Sequence, residues 1–268
     1  ITAPWWASKA EDWWKLAAEN DFWQGGFVWT GFDYRGEPTP YKWPNVNSHF
    51  GIMDVCGFPK NIYYYYKSWW TDEDVIHISP HWNWNEKIGQ PMEVWVNSNA
   101  DDVELFLNGK SLGKKTMPRN SHLKWEVTYE PGTLEAIGYK KGKKISTKVE
   151  TTSTPYKVIA TTEKNILTAD GKDATVVNIS IVDEKGREVP VADNMVKFFL
   201  KGDAKIIGVG NGDPSSHEPD QFLDGAWQRS AFNGKCQVII LSGKTKGEFQ
   251  LEVKSNGLAS DVISFTQK

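Results

Sequence analysis

Cysteine is scarce in this chain. Cys56 and Cys236 stand far apart in segments of different character, which excludes a dense disulfide framework and points to two buried, unlinked thiols. No apolar run approaches the roughly 18 residues needed to cross a bilayer, so no membrane span is expected. The opening residues carry no signal-peptide pattern. They also begin without an initiator Met, so a processed product or an excised piece is expected. Charge of one sign is missing as well: Lys+Arg 31 against Asp+Glu 34 leaves a net charge of -3, which provides no basic field for nucleic-acid phosphates. The basic clusters at 110–115 and 140–144 each sit beside a glycine turn and read as solvated hairpin tips. Metal and cofactor signatures are absent too. His77 and His81 have no third ligand nearby, and the glycine-rich run 208–213 is followed by Pro214 rather than by a helix, as a phosphate loop would require. It reads as a tight β-connection. No Ser/His/Asp or Cys/His grouping can be assembled, and no cofactor or metal is expected.

What the chain does have is unevenly placed. Eleven of its fourteen tryptophans precede residue 85, and Lys, Thr, Val and Gly dominate afterwards. At 268 residues two or three domains are expected. Ser8 and Glu11 form a capping-box pattern that predicts a helix from about Lys9 to Glu19, with Trp13, Leu16 and Ala17 on the face that packs on a sheet. The apolar run 27–32 suits a short strand buried on both faces. A long loop rich in Pro, Asn and Gly follows, from Arg35 to Pro59, and loops of that length in a compact domain are usually functional. Pro59 suits the first turn of a second helix carrying Ile62, Tyr66 and Trp69 on one stripe. From Val75 the period becomes two, with hairpin turns at Asn108-Gly109 and Lys141-Gly142. A small β-sandwich is expected to about residue 152, then a polar joint at 151–155, then a second all-β run with immunoglobulin-like strand spacing.

The segment 25–36 concentrates candidate chemistry. A barrel strand ending at a sugar site would place Trp29, Asp33, Tyr34 and Arg35 where the chain leaves the sheet and turns toward substrate. An aromatic face packs on the C–H face of a pyranose, and a neighbouring Asp or Arg holds hydroxyls. A core strand with a buried Trp and a solvent-facing turn fits the same residues. Asp33 and Glu37 follow one strand, whereas carboxylates flanking a scissile bond come from different barrel strands, so substrate binding or loop bracing suits them better than catalysis. His49, in the aromatic loop, fits a substrate contact or a structural hydrogen bond.

Residues 25–41, with Asn47-Ser48-His49-Phe50-Gly51-Ile52-Met53-Asp54 and Gly57-Phe58-Pro59-Lys60, resemble glycoside hydrolase family 2 at the eighth strand and last helix of its barrel. The likeness is to the β-galactosidase-like branch of gut Bacteroides-type bacteria. Segments 103–113, 169–200, 208–213 and 231–234 resemble the accessory β-domains of that branch. The resemblance implies a C-terminal piece of a (β/α)8 TIM barrel over residues 1–74. Two all-β immunoglobulin-like sandwich domains would follow, over 75–153 and 154–268. It also implies that both catalytic Glu residues of a retaining β-glycosidase precede residue 1, so that no catalytic residue lies in this chain and the rest of the barrel is its partner. Trp29 would form the floor of the sugar subsite, with Asp33, Tyr34, Arg35 and His49 around it, for a β-galactoside-like glycan. Members acting on glucuronides carry an Asn and a Lys where Ser48 and Phe50 stand here, which favours a neutral sugar. Phe50 also replaces the Asn that would supply a metal ligand in some members. Export to the periplasm or beyond is expected from the family. A non-catalytic carbohydrate-binding or structural module is the competing expectation.

Overall fold

The computed structural model describes residues 5–268; the opening residues 1–4, on which the reading of a processed start rests, lie outside it. The chain divides into two compact units. The first takes the chain up to Lys42, Ser48–Asp54 and Phe58–Thr151, and the second takes Trp43–Asn47, Val55–Gly57 and Thr152–Lys268.

The first unit opens with helix α1 (Ala10–Glu19), whose N-cap is Lys9 with no side-chain cap. The capping box expected at Ser8 therefore does not form. Glu11 instead serves a distant turn: it accepts from Ser121 Oγ at 2.5 Å and meets His122 Nδ1, and Lys15 bridges it one helical turn on. These partners outweigh the burial penalty and hold the Glu11 carboxyl below its ordinary range. A carboxylate gains more from charge-assisted bonds to a folded turn than from one backbone N–H of its own helix. The expected sheet-facing stripe is also corrected, because no residue of α1 is buried and Leu16 is exposed. Contact runs through Trp14, which donates to Asn120 Oδ1 at 3.1 Å and meets Trp70 edge-on at 5.4 Å.

Helix α2 (Asn61–Trp70) starts after Lys60, so Pro59 precedes the first turn rather than occupying it. Tyr65 and Tyr66 are buried, Trp69 packs on the neighbouring sandwich core and Ile62 is half-buried. Tyr65 Oη donates to Asn120 O at 2.7 Å and Trp69 Nε1 to Ser121 O at 3.0 Å. Both helices are thus pinned to the one 120–122 turn.

Residues 27–32 form no strand. Phe32 makes one isolated parallel bridge to Met53, and Phe27, Trp29 and Phe32 are exposed. A strand buried on both faces needs a sheet at its edges and a layer on each face. The described residues supply a single bridge.

Seven strands follow in this unit: β1 (Ile76–Ser79), β2 (Pro91–Ser98), β3 (Asp102–Leu107), β4 (Lys110–Thr116), β5 (Leu123–Thr128), β6 (Thr133–Lys140) and β7 (Lys143–Glu150). They make antiparallel sheets in the orders β1-β2-β5 and β4-β3-β6-β7. Alternate residues Val94 and Val96, Val103 and Leu105, and Trp125 and Val127 point into one core around the fully buried Trp82 and Tyr129, as period two requires. Both two-residue turns have positive φ at each position, 50° and 80° at Asn108-Gly109 and the same at Lys141-Gly142, the geometry whose twist matches the flanking strands.

His77 on β1 stacks on Tyr64 at 3.6 Å and bonds Asn61 Oδ1 at 3.1 Å. Burial pulls its pKa down to about 4. The folded value lies below the unfolded one, so the neutral ring's contribution is fully present above about pH 6.5 and is lost as the pH falls toward 4. The urea midpoint of the first unit, followed by tryptophan fluorescence, is expected to fall across that window. His77→Phe, which keeps the stack, should flatten the slope; an unchanged slope would contradict this origin.

The second unit holds nine strands: β8 (Lys157–Thr161), β9 (Ile166–Leu167), β10 (Ala174–Val182), β11 (Met195–Lys201), β12 (Ala204–Gly210), β13 (Trp227–Ser230), β14 (Lys235–Ser242), β15 (Gly247–Ser255) and β16 (Asp261–Gln267). Their sheets run β12-β14-β10-β8 and β13-β11-β15-β16-β9, antiparallel except for the β9–β16 pair. Val177, Ile179, Ile181, Val238, Ile240, Phe249, Leu251 and Val253 fill the core. The glycine-rich run at 208–213 begins inside β12, at a register shift next to Gly208, and Asn211 then ties the chain to Ser230 O at 2.8 Å. Cys236 is buried, Cys56 is half-buried, and no disulfide joins them. Burial, then the proximity of Cys56, pushes the Cys236 thiol far up, which leaves it protonated and unreactive. Among the described residues no helix is long and apolar enough to cross a membrane.

Candidate functional site

A small backbone lattice organises the aromatic segment. Ile52 and Met53 donate to Thr30 O and Gly31 O at 3.0 and 2.9 Å, Asp33 N returns to Met53 O at 3.0 Å, and Lys60 N reaches Ile52 O at 3.1 Å. Three stretches far apart in sequence thereby converge at the start of α2. Gly51 lies at their crossing: a Cβ there would stand 2.3 Å from Asp33 N and 2.5 Å from Met53 O.

Asp33 is buried at 5 % exposure. Its carboxylate pairs with Lys60 Nζ and accepts from Gly51 N at 2.8 Å and Ser48 Oγ at 3.4 Å. Ser48, fully buried, also accepts from Tyr34 N at 3.1 Å. These contacts brace the loop. Tyr34 takes Trp29 Nε1 on its hydroxyl at 3.2 Å, donates that hydroxyl to Glu37, and packs edge-on against Trp29 and Phe50. The Glu37 carboxylate as acceptor raises the Tyr34 pKa. Asp33 and Glu37 thus have separate partners. Arg35 lies exposed beyond Tyr34. The peptide bond between Trp29 and Thr30 is cis.

Beside this lattice is an open cleft of about 620 Å³, walled by Trp13, Trp29, Tyr41, His49, Phe50 and Tyr66, with Lys60 also at its surface. Of the five residues singled out from sequence, Trp29 and His49 line it. Asp33, Tyr34 and Arg35 belong to the loop behind Trp29. The His49 ring lies 4.1 Å from that of Tyr41, and Lys60 Nζ donates to His49 O at 3.1 Å. Sequence reading missed Tyr41, Lys60, Tyr66 and Trp13 as site residues. The aromatic density was a signal for the cleft, but nothing local joins Lys60 to Asp33. The lining carries four indole or phenol rings, an imidazole and an ammonium, a combination suited to stacking and hydrogen bonding of a polyhydroxylated ring. Among the described residues no group of three or more His, Cys, Asp or Glu is placed to hold a metal ion.

The aromatic cleft lies on a segment with two helices, and two β-sandwiches follow it in the chain. Residues 159–264 match the model of glycoside hydrolase family 2 C-terminal domain 5, and residues 89–146 match a domain of unknown function, DUF4982. The chain is 46% identical over 264 residues to beta-galactosidase BoGH2A of Bacteroides ovatus, covering 97% of this chain and 30% of that protein. It is 38% identical over 243 residues to a putative beta-glucuronidase of Formosa agariphila, covering 86% of this chain and 23% of the relative. The crystal structure of a beta-glycosidase from Bacteroides vulgatus superposes with a TM-score of 0.89 at 33% identity, over 96% of this chain and 32% of that one. The chain belongs to glycoside hydrolase family 2 and matches the C-terminal portion of its members. It spans about 30% or less of the length of these two sequence relatives.

Proposed function

We propose that this chain is the C-terminal portion of a retaining β-glycosidase acting on a neutral sugar, a β-galactoside by preference. In this reading residues 27–32 are the last strand of a (β/α)8 barrel and α2 is its closing helix, within a domain plan of 1–74, 75–153 and 154–268. The catalytic Glu pair is supplied by sequence upstream, with the two carboxyl groups about 5 to 5.5 Å apart as a retaining mechanism requires. One attacks the anomeric carbon while the other protonates the leaving oxygen, and water then releases the sugar. Trp29 and His49 border the sugar, while Asp33 braces the loop behind them, on which Tyr34 and Arg35 stand. Export to the periplasm or beyond goes with this reading.

The observation that carries it is the open aromatic cleft itself. Trp29 is 73% and Phe27 104% exposed, although both sit in an apolar run of the kind that proteins bury. Further barrel strands would cover the edges and faces of that run. The neutral-sugar preference rests on Ser48 and Phe50. Ser48 is buried and committed to Asp33 and Tyr34, and Phe50 presents a phenyl ring to the cleft, so neither position offers a cation to a sugar carboxylate.

The test is turnover by the full-length polypeptide that carries this sequence. Nitrophenyl-β-galactoside is expected to be cleaved with a higher kcat/KM than nitrophenyl-β-glucuronide. Trp29→Ala should lower kcat/KM by roughly a hundredfold, the scale of a lost stacking surface plus misplacement of the sugar. A preference for the glucuronide would overturn the neutral-sugar reading, and an unaffected Trp29→Ala enzyme would overturn the site.

A further inference from the structure

The wall of the cleft holds a cation that a neutral sugar does not call for. Lys60, the N-cap of α2, lines the cleft, and its side chain keeps 31% exposure. Among the described residues no Asp or Glu lines the cleft with it. Lys9, the other lysine of the lining, is exposed, so water and salt screen it. A bare ammonium at the place of Lys60 would recruit the carboxylate of an acidic sugar, because a hydrogen bond between charged groups is about twice as strong as one between neutral groups.

Asp33 answers that charge from behind the wall. Its Oδ2 pairs with Lys60 Nζ, while its Oδ1 is held by Gly51 N at 2.8 Å and Ser48 Oγ at 3.4 Å. Lys60 Nζ also donates to His49 O at 3.1 Å. An ammonium has three donors, so two are committed and one is left. All of these residues belong to the first unit. Two opposite charges in contact act at a distance as a dipole, whose field falls off faster than that of a lone charge. The cleft is thereby given a hydrogen-bond donor with little net charge, enough for a hydroxyl but too little to repay a carboxylate for its lost water. We infer that the Asp33–Lys60 pair is a charge mask that sets the selectivity of the cleft: Lys60 offers its remaining donor to a sugar hydroxyl, and Asp33 cancels the charge that would otherwise recruit an acidic sugar. Asp33 is then a positioning residue for selectivity as well as a brace. This rests on the glycosidase reading above.

The experiment measures kcat/KM of the full-length enzyme on nitrophenyl-β-glucuronide and nitrophenyl-β-galactoside and follows their ratio, so that a general loss from a loosened loop divides out. Asp33→Asn keeps an acceptor for Gly51 and removes the negative charge. It is expected to raise the glucuronide-to-galactoside ratio by roughly tenfold, the scale of one unit charge acting across a partly hydrated site. The rise should shrink as salt is added from about 0.05 to about 0.5 M. Lys60→Gln should move the ratio the opposite way, and the double variant, neutral again, should return it toward the unmutated value. A purely structural role produces no such reversal. An unchanged ratio in Asp33→Asn, or a rise in both single variants, would overturn the mask while leaving the galactoside preference intact. Should Asp33→Asn not fold, Lys60→Gln decides alone, and an unchanged or raised ratio overturns the mask. Absence of turnover of either glycoside by the unmutated enzyme, or a preference for the glucuronide, would overturn the reading on which the mask rests.

Discussion

Replacing Asp33 with alanine is expected to lower the stability of the first unit by about 3 kcal/mol and to abolish most of the glycosidase activity proposed for the full-length protein. Three bonds end on this one carboxylate: Lys60 Nζ, Gly51 N and Ser48 Oγ. Truncation leaves the buried Gly51 N–H without its acceptor and the Lys60 ammonium without its counter-charge, with His49 O still in reach; breaking a buried pair in this way costs about 3–5 kcal/mol. The lower end applies because the Lys60 side chain keeps 31% exposure and recovers some hydration. Loss of the brace also frees the loop that carries His49 and Phe50 into the cleft. Asp33→Asn, which keeps an acceptor for Gly51 but not the charge, should fall between. The checks are the urea midpoint followed by tryptophan fluorescence and kcat/KM on the nitrophenyl glycoside. If Asp33→Ala kept the wild-type midpoint, the bracing role would be wrong; if it kept the midpoint shift but full activity, the cleft would be independent of the brace.

Gly51→Ala is expected to be at least as damaging. The added methyl meets Asp33 N, Met53 O and the Phe32 carbonyl carbon at 2.3 to 2.5 Å, all backbone atoms of segments hydrogen-bonded to one another. No rotamer change relieves such a clash, so relief comes only from pulling the three stretches apart. Overpacking usually costs about 1–3 kcal/mol where side chains absorb it; here backbone must move, and about 3 kcal/mol or more is expected. Amide hydrogen exchange gives a direct reading, with protection of Asp33, Met53 and Lys60 lost in the variant while β2, β3 and β6 keep theirs. Wild-type protection at Asp33 and Met53 would contradict the steric argument.

The β-rich part of this fold was readable because its determinants are local. Alternation at Val94 and Val96 or at Val103 and Leu105 reports which face is buried, and Asn108-Gly109 sets its own hairpin through positive φ at both positions. The same local logic failed at α1. Ser8 and Glu11 have the spacing of a capping box, but Glu11 found Ser121 and His122, over a hundred positions away. It failed again at residues 27–32, where an apolar run is necessary for a buried strand but not sufficient. A buried strand also needs neighbouring strands, and the described residues contribute one bridge.

For the candidate site, the sequence alone determined the chemical inventory: an aromatic-rich segment with Trp29 and His49, carboxylates that suit bracing better than catalysis, and the likeness to a sugar-cleaving family. Only the tertiary structure decided the assignments of role. It turned Asp33 inward to Lys60, brought Tyr41 and Tyr66 to the wall beside Trp29, and handed Trp43 to the terminal sandwich. The physical reason is range. Propensity and periodicity act over a few residues and can be read along the chain, whereas ion pairs, close backbone crossings and ring stacks join positions whose separation in sequence carries no signal until the chain is folded.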